Sequence, residues 1–122
     1  MKRDMDLVRK LLLAIEAHPE PDGAFDVDVP GYPREQIMYH VQLLHEAGLV
    51  SAENVTTFNA FEWQVHSLTW SGHEFLDATR SDTIWRKIKT VMKDRGATLT
   101  FDLIKALAIK FTAAAIGLEL KP

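Results

Sequence analysis

At Gly48 the apolar pattern of this chain changes period. Before it, Ile37, Val41 and Leu44 recur at three- and four-residue spacing, as on one face of a helix. After it, Phe61, Trp63 and Val65 alternate with Glu62, Gln64 and His66, as in a half-buried strand. A helix that must stop at Ala47-Gly48 and hand the chain straight to β-branched and aromatic residues predicts helix followed by hairpin, with Gly48 as a left-handed cap. Pro33 suits the first turn of that helix, expected over 33–47, and the hairpin is expected to turn near Phe58-Asn59-Ala60.

The flanking segments obey the same rules. Met5, Val8, Leu12 and Ile15 predict an amphipathic helix over 4–17, capped by Asp4 and closed by His18-Pro19. A loop through Pro19, Pro21, Asp22 and Gly23 precedes Phe25, Val27 and Val29, whose alternation with Asp26 and Asp28 predicts a short strand ended by Pro30-Gly31. Thr69 and Ser81 stand just before helical patterns at 70–79 and 82–95, with Gly96 as a stop. Thr100 is expected to cap a last helix running to about Ile116, with Gly117 beyond its end.

The order helix, short strand, helix, hairpin, helix is similar to that of winged-helix proteins. In that class the helix before the hairpin enters the DNA major groove. The expected fold class is therefore α+β and mostly helical: a winged-helix-like core over 1–80, with a helical extension over 81–122 packed on it as one structural domain. Only 18 residues separate Val29 from Gly48, which is tight for two helices joined by a turn, so the helix that normally precedes the reading helix is expected to be vestigial. More specifically, Met1-Lys2-Arg3-Asp4-Met5-Asp6-Leu7-Val8-Arg9-Lys10, the stretch from Tyr39-His40 to Ala47-Gly48-Leu49-Val50, and Leu68-Thr69-Trp70-Ser71-Gly72-His73-Glu74-Phe75-Leu76-Asp77 together resemble a bacterial and prophage family, domain of unknown function 2513. The likeness extends through Asp82-Thr83-Ile84-Trp85. It implies the fold and a bacterial or phage origin, and no activity.

With 122 residues the chain is long enough to bury a core without metals or disulfides, and it has no cysteine. The expected compartment is the cytoplasm: the N-terminus has no long apolar region, and Asp102, Lys105, Lys110 and Glu119 interrupt the apolar stretch 101–120. Neither a membrane span nor a cofactor is expected.

Of the five histidines, His40 and His45 sit five apart, about 140° round a helix, and are expected to be partly buried packing residues flanking the apolar stripe. His73, Glu74 and Asp77 could form a weak acid/base or two-ligand group, but a helix-surface hydrogen bond is the plainer reading of that spacing. No phosphate loop, nucleophile elbow or zinc-protease motif is present. No catalytic residue and no metal ligand is assigned, and the chain is expected not to be an enzyme.

Charge argues against groove binding. Phosphate-neutralising Lys and Arg dominate the affinity of DNA-binding proteins, yet the 45 residues between Arg34 and Arg80 contain neither. The outward face of the 33–47 helix is expected to present Glu35, Tyr39, Gln42 and Glu46. Residues 1–80 carry 6 Lys and Arg against 13 Asp and Glu, and residues 81–122 carry 8 against 4. The cations concentrate at Arg80, Arg86, Lys87, Lys89, Lys93 and Arg95, a candidate surface for phosphate or an acidic partner.

The last helix carries two apolar stripes. Ile104, Leu107, Phe111, Ala114 and Leu118 are expected to dock it on its own domain. Ala106, Ile109, Ala113 and Ile116 form a second face, a candidate oligomer interface unless Trp85 and Ile88 cover it. The sequence thus points to a self-associating, protein-binding or regulatory module, with nucleic acid disfavoured as a partner. The alternative is a DNA-binding regulator working through the basic 80–95 helix.

Overall fold

A computed structural model describes residues 1–117 apart from Asp22, Ala97 and Leu99. Asp22 of the expected loop and Leu118 of the expected apolar stripe lie outside the described residues. The architecture is α+β: α1 (Met5–Ala17), α2 (Arg34–Glu46), β1 (Val50–Asn54), β2 (Trp63–Leu68), α3 (Trp70–Thr79), α4 (Asp82–Asp94) and α5 (Phe101–Ala115). The chain gathers into two compact units, 1–74 and 75–122, whose boundary falls inside α3.

In the first unit, α1 and α2 pack on each other and on the hairpin. Leu7, Leu11, Leu12, Ile37, Met38, Val41 and Val65 are fully buried. Asp4 caps α1, its carboxylate accepting from the backbone N–H of Asp6 and Leu7 at 2.9 and 3.2 Å. The cap is itself held by His40, which is buried and whose two ring nitrogens are both engaged. Nε2 lies 2.8 Å from the Asp4 backbone N–H and must accept from it, so Nδ1 donates to the Gln36 carbonyl at 2.8 Å. His40 is thus a structural link between two helices. His45, expected to be partly buried, is exposed, with its ring 5.3 Å from that of Trp63.

The hairpin is antiparallel, pairing Val50 with Leu68 and Asn54 with Trp63, with a bulge at Ser51/Ala52. Thr57 and Ala60 close the turn by reciprocal backbone hydrogen bonds. The strand expected at 25–29 does not form. Phe25 alone bridges to Val65, although Val27 and Val29 are buried. β2 has one side taken by β1, and Pro30 and the turn closed by the Tyr32 N–H on the Val29 carbonyl carry the chain away before a second pair of ladder bonds is made. No helix occurs between Ala17 and Arg34 among the described residues, which replaces the expected vestigial helix with irregular chain.

Leu49 is the junction of this unit. Gly48, at φ +76°, turns the chain out of α2, and the Leu49 carbonyl accepts the Thr69 N–H at 3.0 Å. Thr69 Oγ1 donates to the Gly48 carbonyl at 2.6 Å and caps α3 by accepting from the Gly72 N–H at 3.1 Å. A Cβ on Gly72 would stand 2.0 Å from the Leu49 carbonyl oxygen.

In the second unit, α4 buries Ile84, Trp85, Ile88 and Met92, and α5 buries Ile104 and Ala108. Phe75 and Phe101 stack with centroids 4.8 Å apart. Ser81 and Thr100 cap α4 and α5 through the N–H groups of Ile84 and Leu103. Leu107 and Phe111, expected within the docking stripe, are only half-buried, and Ala114 is exposed. The docking face is centred instead on Phe101, Ile104 and Ala108, which recur at three- and four-residue spacing.

Because the nearest atom to the missing Cβ is backbone and cannot swing aside, Gly72→Ala should destabilise the protein by roughly 3 kcal/mol, at the upper end of overpacking costs. Urea unfolding would show it, with Ser71→Ala on the exposed side of the same turn near neutral.

Candidate functional site

Three surfaces carry the residues singled out in the sequence, and each is built on one helix. On α2, Glu35 and Glu46 are exposed, and Tyr39 and Gln42 are half-buried. Gln42 Nε2 donates to the Glu46 carboxylate at 3.1 Å, and Tyr39 stands edge-on to the His40 ring at 5.8 Å. The four therefore share the outer side of the helix, as expected from their spacing.

Arg34, the one cation of α2, is turned to a structural task. Its Nε donates to Glu62 Oε1 and its Nη2 to Asp26 Oδ1, both at 2.9 Å, with a second, shorter bond to Glu62 Oε2. This fork ties the start of α2 to β2's entry and to the 23–29 segment. The Glu62 hydrogen bonds, then Asp26, hold the guanidinium charge more firmly, and the Arg34 hydrogen bond pulls the Glu62 carboxyl below its ordinary range. With two carboxylates on one cation, the neighbourhood of α2 stays net negative.

On the second surface, Arg86, Lys87, Lys93 and Arg95 are exposed along α4. Lys89 is half-buried with its ammonium 6.0 Å above the Trp85 ring, and Arg80 pairs with Asp77 at 2.9 Å. Arg86, Lys89 and Lys93 recur at three- and four-residue spacing opposite the buried Ile84/Ile88 side, so they form one stripe. Lys87 lies on the other flank. There, with Thr83, Arg86, Thr90, Val91 and Phe111, it lines a groove of about 320 Å³ between α4 and α5.

The third surface is the outer side of α5. Ile109 is 54% and Ile116 71% exposed, and Ala106 is exposed as well. Ala113 departs from expectation: at 6% exposure it is buried. Leu103, 45% exposed and three residues before Ala106, extends this surface instead. Sequence periodicity missed it, because it lies between the two stripes.

Two of the residues considered for acid/base work are engaged by neighbours. Glu74 accepts from the Trp70 indole N–H and Asp77 from Arg80. Among the described residues no group of three or more His, Asp and Glu is placed to hold a metal ion, and no helix is long and apolar enough to cross a membrane. Trp70, at the start of α3, is 80% exposed, and Phe58 at the hairpin tip is fully so.

The Arg34 clamp gives the first unit an acid-sensitive contact. Glu62 has its carboxyl lowered in the folded state, so the contribution is complete above the unfolded carboxyl range and is lost as pH falls through the folded one. Between about pH 6 and pH 3 the urea midpoint of the wild type should therefore fall further than that of Glu62→Gln, which lacks the titrating group. Equal slopes would show that the clamp does not respond to acid.

Two comparisons place the chain among known proteins. A family model described as "Hypothetical protein (DUF2513)" matches residues 2–98. An uncharacterised protein of Haemophilus influenzae is 39% identical over 109 residues, covering 88% of this chain and 92% of that protein. No solved structure matches. The match across both units, from α1 through α4, and the bacterial relative of nearly equal length establish that the chain belongs to the DUF2513 family.

Proposed function

We propose that this protein is a non-enzymatic, winged-helix-like module of the bacterial cytoplasm that self-associates through α5 and acts by binding another protein. The observation that carries the reading is the outer side of α5. Leu103, Ala106 and Ile109 step round the helix at three-residue intervals, and Ile116 lies two turns beyond Ile109, all exposed. Large aliphatic side chains grouped on a helix face mark an interface more often than a solvated surface. Because each is already partly covered, burying Ile109 and Ile116 against a second copy contributes about 1–2 kcal/mol per side chain, and two-fold symmetry doubles the sum.

The winged-helix reading rests on α1, α2 and the hairpin following α2 directly, with Phe25 adding a bridge where that class has its first strand. What such a module would ordinarily do with α2 is opposed by the charge there: Glu35 and Glu46 face outward, and Arg34 is neutralised by Asp26 and Glu62. One observation favours a DNA-binding alternative, the exposed stripe of cations on α4.

Light scattering decides the first reading. The wild type should scatter as a dimer or larger at high micromolar concentration, and Ile109→Lys with Ile116→Lys should give a folded monomer. Ile104→Lys, which buries an unpaired charge, should unfold the second unit. A wild-type monomer, or an unfolded Ile109/Ile116 variant, would overturn the interface.

For the alternative, no duplex binding of nanomolar affinity is expected at about 150 mM salt. Weak binding at low salt should vanish when Arg86, Lys87 and Lys89 are changed to Glu and survive replacement of Tyr39 and Gln42. A mobility-shift selection that recovers a defined operator would reverse this order.

A further inference from the structure

Tryptophan gains more from burial than almost any other side chain, yet Trp70 is 80% exposed, while Trp63 and Trp85 are buried. It is also fixed. It opens α3 immediately after the Thr69 cap, and its indole N–H donates to the Glu74 carboxylate one turn on. A large apolar surface held in one orientation loses little freedom on docking, which is what distinguishes an interface anchor from an incidental exposed ring. Its setting is acidic. The Thr69 hydroxyl joins the start of α3 to Gly48, two residues beyond Glu46, and no Lys or Arg occurs from residue 35 to 79.

The second unit carries the complement. The groove between α4 and α5 is lined by the half-buried Val91 and Phe111 and by the exposed Thr83, Thr90, Arg86 and Lys87. An indole laid on such a groove would sit beside Arg86 and Lys87, close enough for cation–π attraction, and would bring Glu74 of its own helix toward them. By sequence the first unit carries 5 Lys and Arg against 12 Asp and Glu, and the second 9 against 5. Unlike charges attract, so charge favours bringing the first unit of one copy to the second unit of another.

We infer that Trp70 of one copy seats in the α4–α5 groove of a second copy, a heterologous contact that goes beyond the symmetric α5 contact proposed above and does not depend on it. Such a contact propagates into a ring or a filament unless geometry closes it. Nothing in it requires the two units of one chain to adopt a particular arrangement, because knob and groove belong to different molecules.

The test uses the full chain carrying Ile109→Lys and Ile116→Lys, which removes the α5 contact. In sedimentation at about 20 mM salt its mass should rise with concentration, and at about 500 mM, where the Debye length has shrunk below ~5 Å, it should be a monomer. Trp70→Ala, or Arg86→Glu with Lys87→Glu, added to that protein should each weaken the low-salt association at least tenfold. Mixed in equal amounts, the two variants should recover it as a one-to-one heterodimer and no larger, since one retains only the knob and the other only the groove. The emission of Trp70 should shift to shorter wavelength on mixing. All three substituted sites are exposed, and circular dichroism confirms that each variant is folded. Three results would each overturn the inference: a starting protein that stays monomeric at low salt, single variants that associate undiminished, or a mixture that remains monomeric. The last would assign Trp70 to a different protein partner. Failure of the α5 contact shows separately, as a wild type that is monomeric at high salt.

Discussion

Everything in the first unit depends on how the chain turns at Gly48-Leu49. There the end of α2, the start of β1, the end of β2 and the start of α3 are fastened by four polar groups within two short segments: the Gly48 and Leu49 carbonyls and the Thr69 N–H and hydroxyl. Each would otherwise be an orphan at an element end, and leaving such a group buried without a partner costs about 1–3 kcal/mol. Satisfying them together fixes the hairpin register at Val50 opposite Leu68 and sets the direction in which α3 leaves. It also explains Gly72, whose missing side chain is what lets α3 approach the Leu49 carbonyl. Trp70, the first residue of α3, stands at the surface.

Polar groups in this protein are spent on holding elements together. His40 uses both ring nitrogens to connect α2 with the cap of α1, and Arg34 uses its fork to connect α2 with two otherwise separate segments. These are the residues whose chemistry would draw attention in an enzyme or a DNA-binding helix. Their occupation leaves α2 with an outer side on which Glu35 and Glu46 are exposed and no Lys or Arg of the helix stands free beside them.

The second unit divides its labour differently. α4 is sharply two-sided, with Ile84, Trp85, Ile88 and Met92 inward and its cations outward. α5 has too many aliphatic positions for one face to absorb. Burying Ile104, Ala108 and Ala113 leaves Leu103, Ile109 and Ile116 at the surface.

The sequence by itself determined the helices, their caps and the hairpin, because those depend on local chemistry: a three- or four-residue period, a Thr or Ser with a helix behind it, a glycine free to take positive φ. Asp4, Gly48, Thr69, Ser81 and Thr100 could be assigned without any distant contact, as could the charge division and the outer face of α2. The strand at 25–29 could not. Alternation shows that Val27 and Val29 are buried, but a strand also needs a partner in register, and tertiary structure gives one only to Phe25. Exposure escaped the sequence for the same reason. Ala113 inside, Leu103 and Trp70 outside, and Arg34 clamped by Glu62 at a separation of 28 residues are set by which segments meet in space, a long-range property that no local period records.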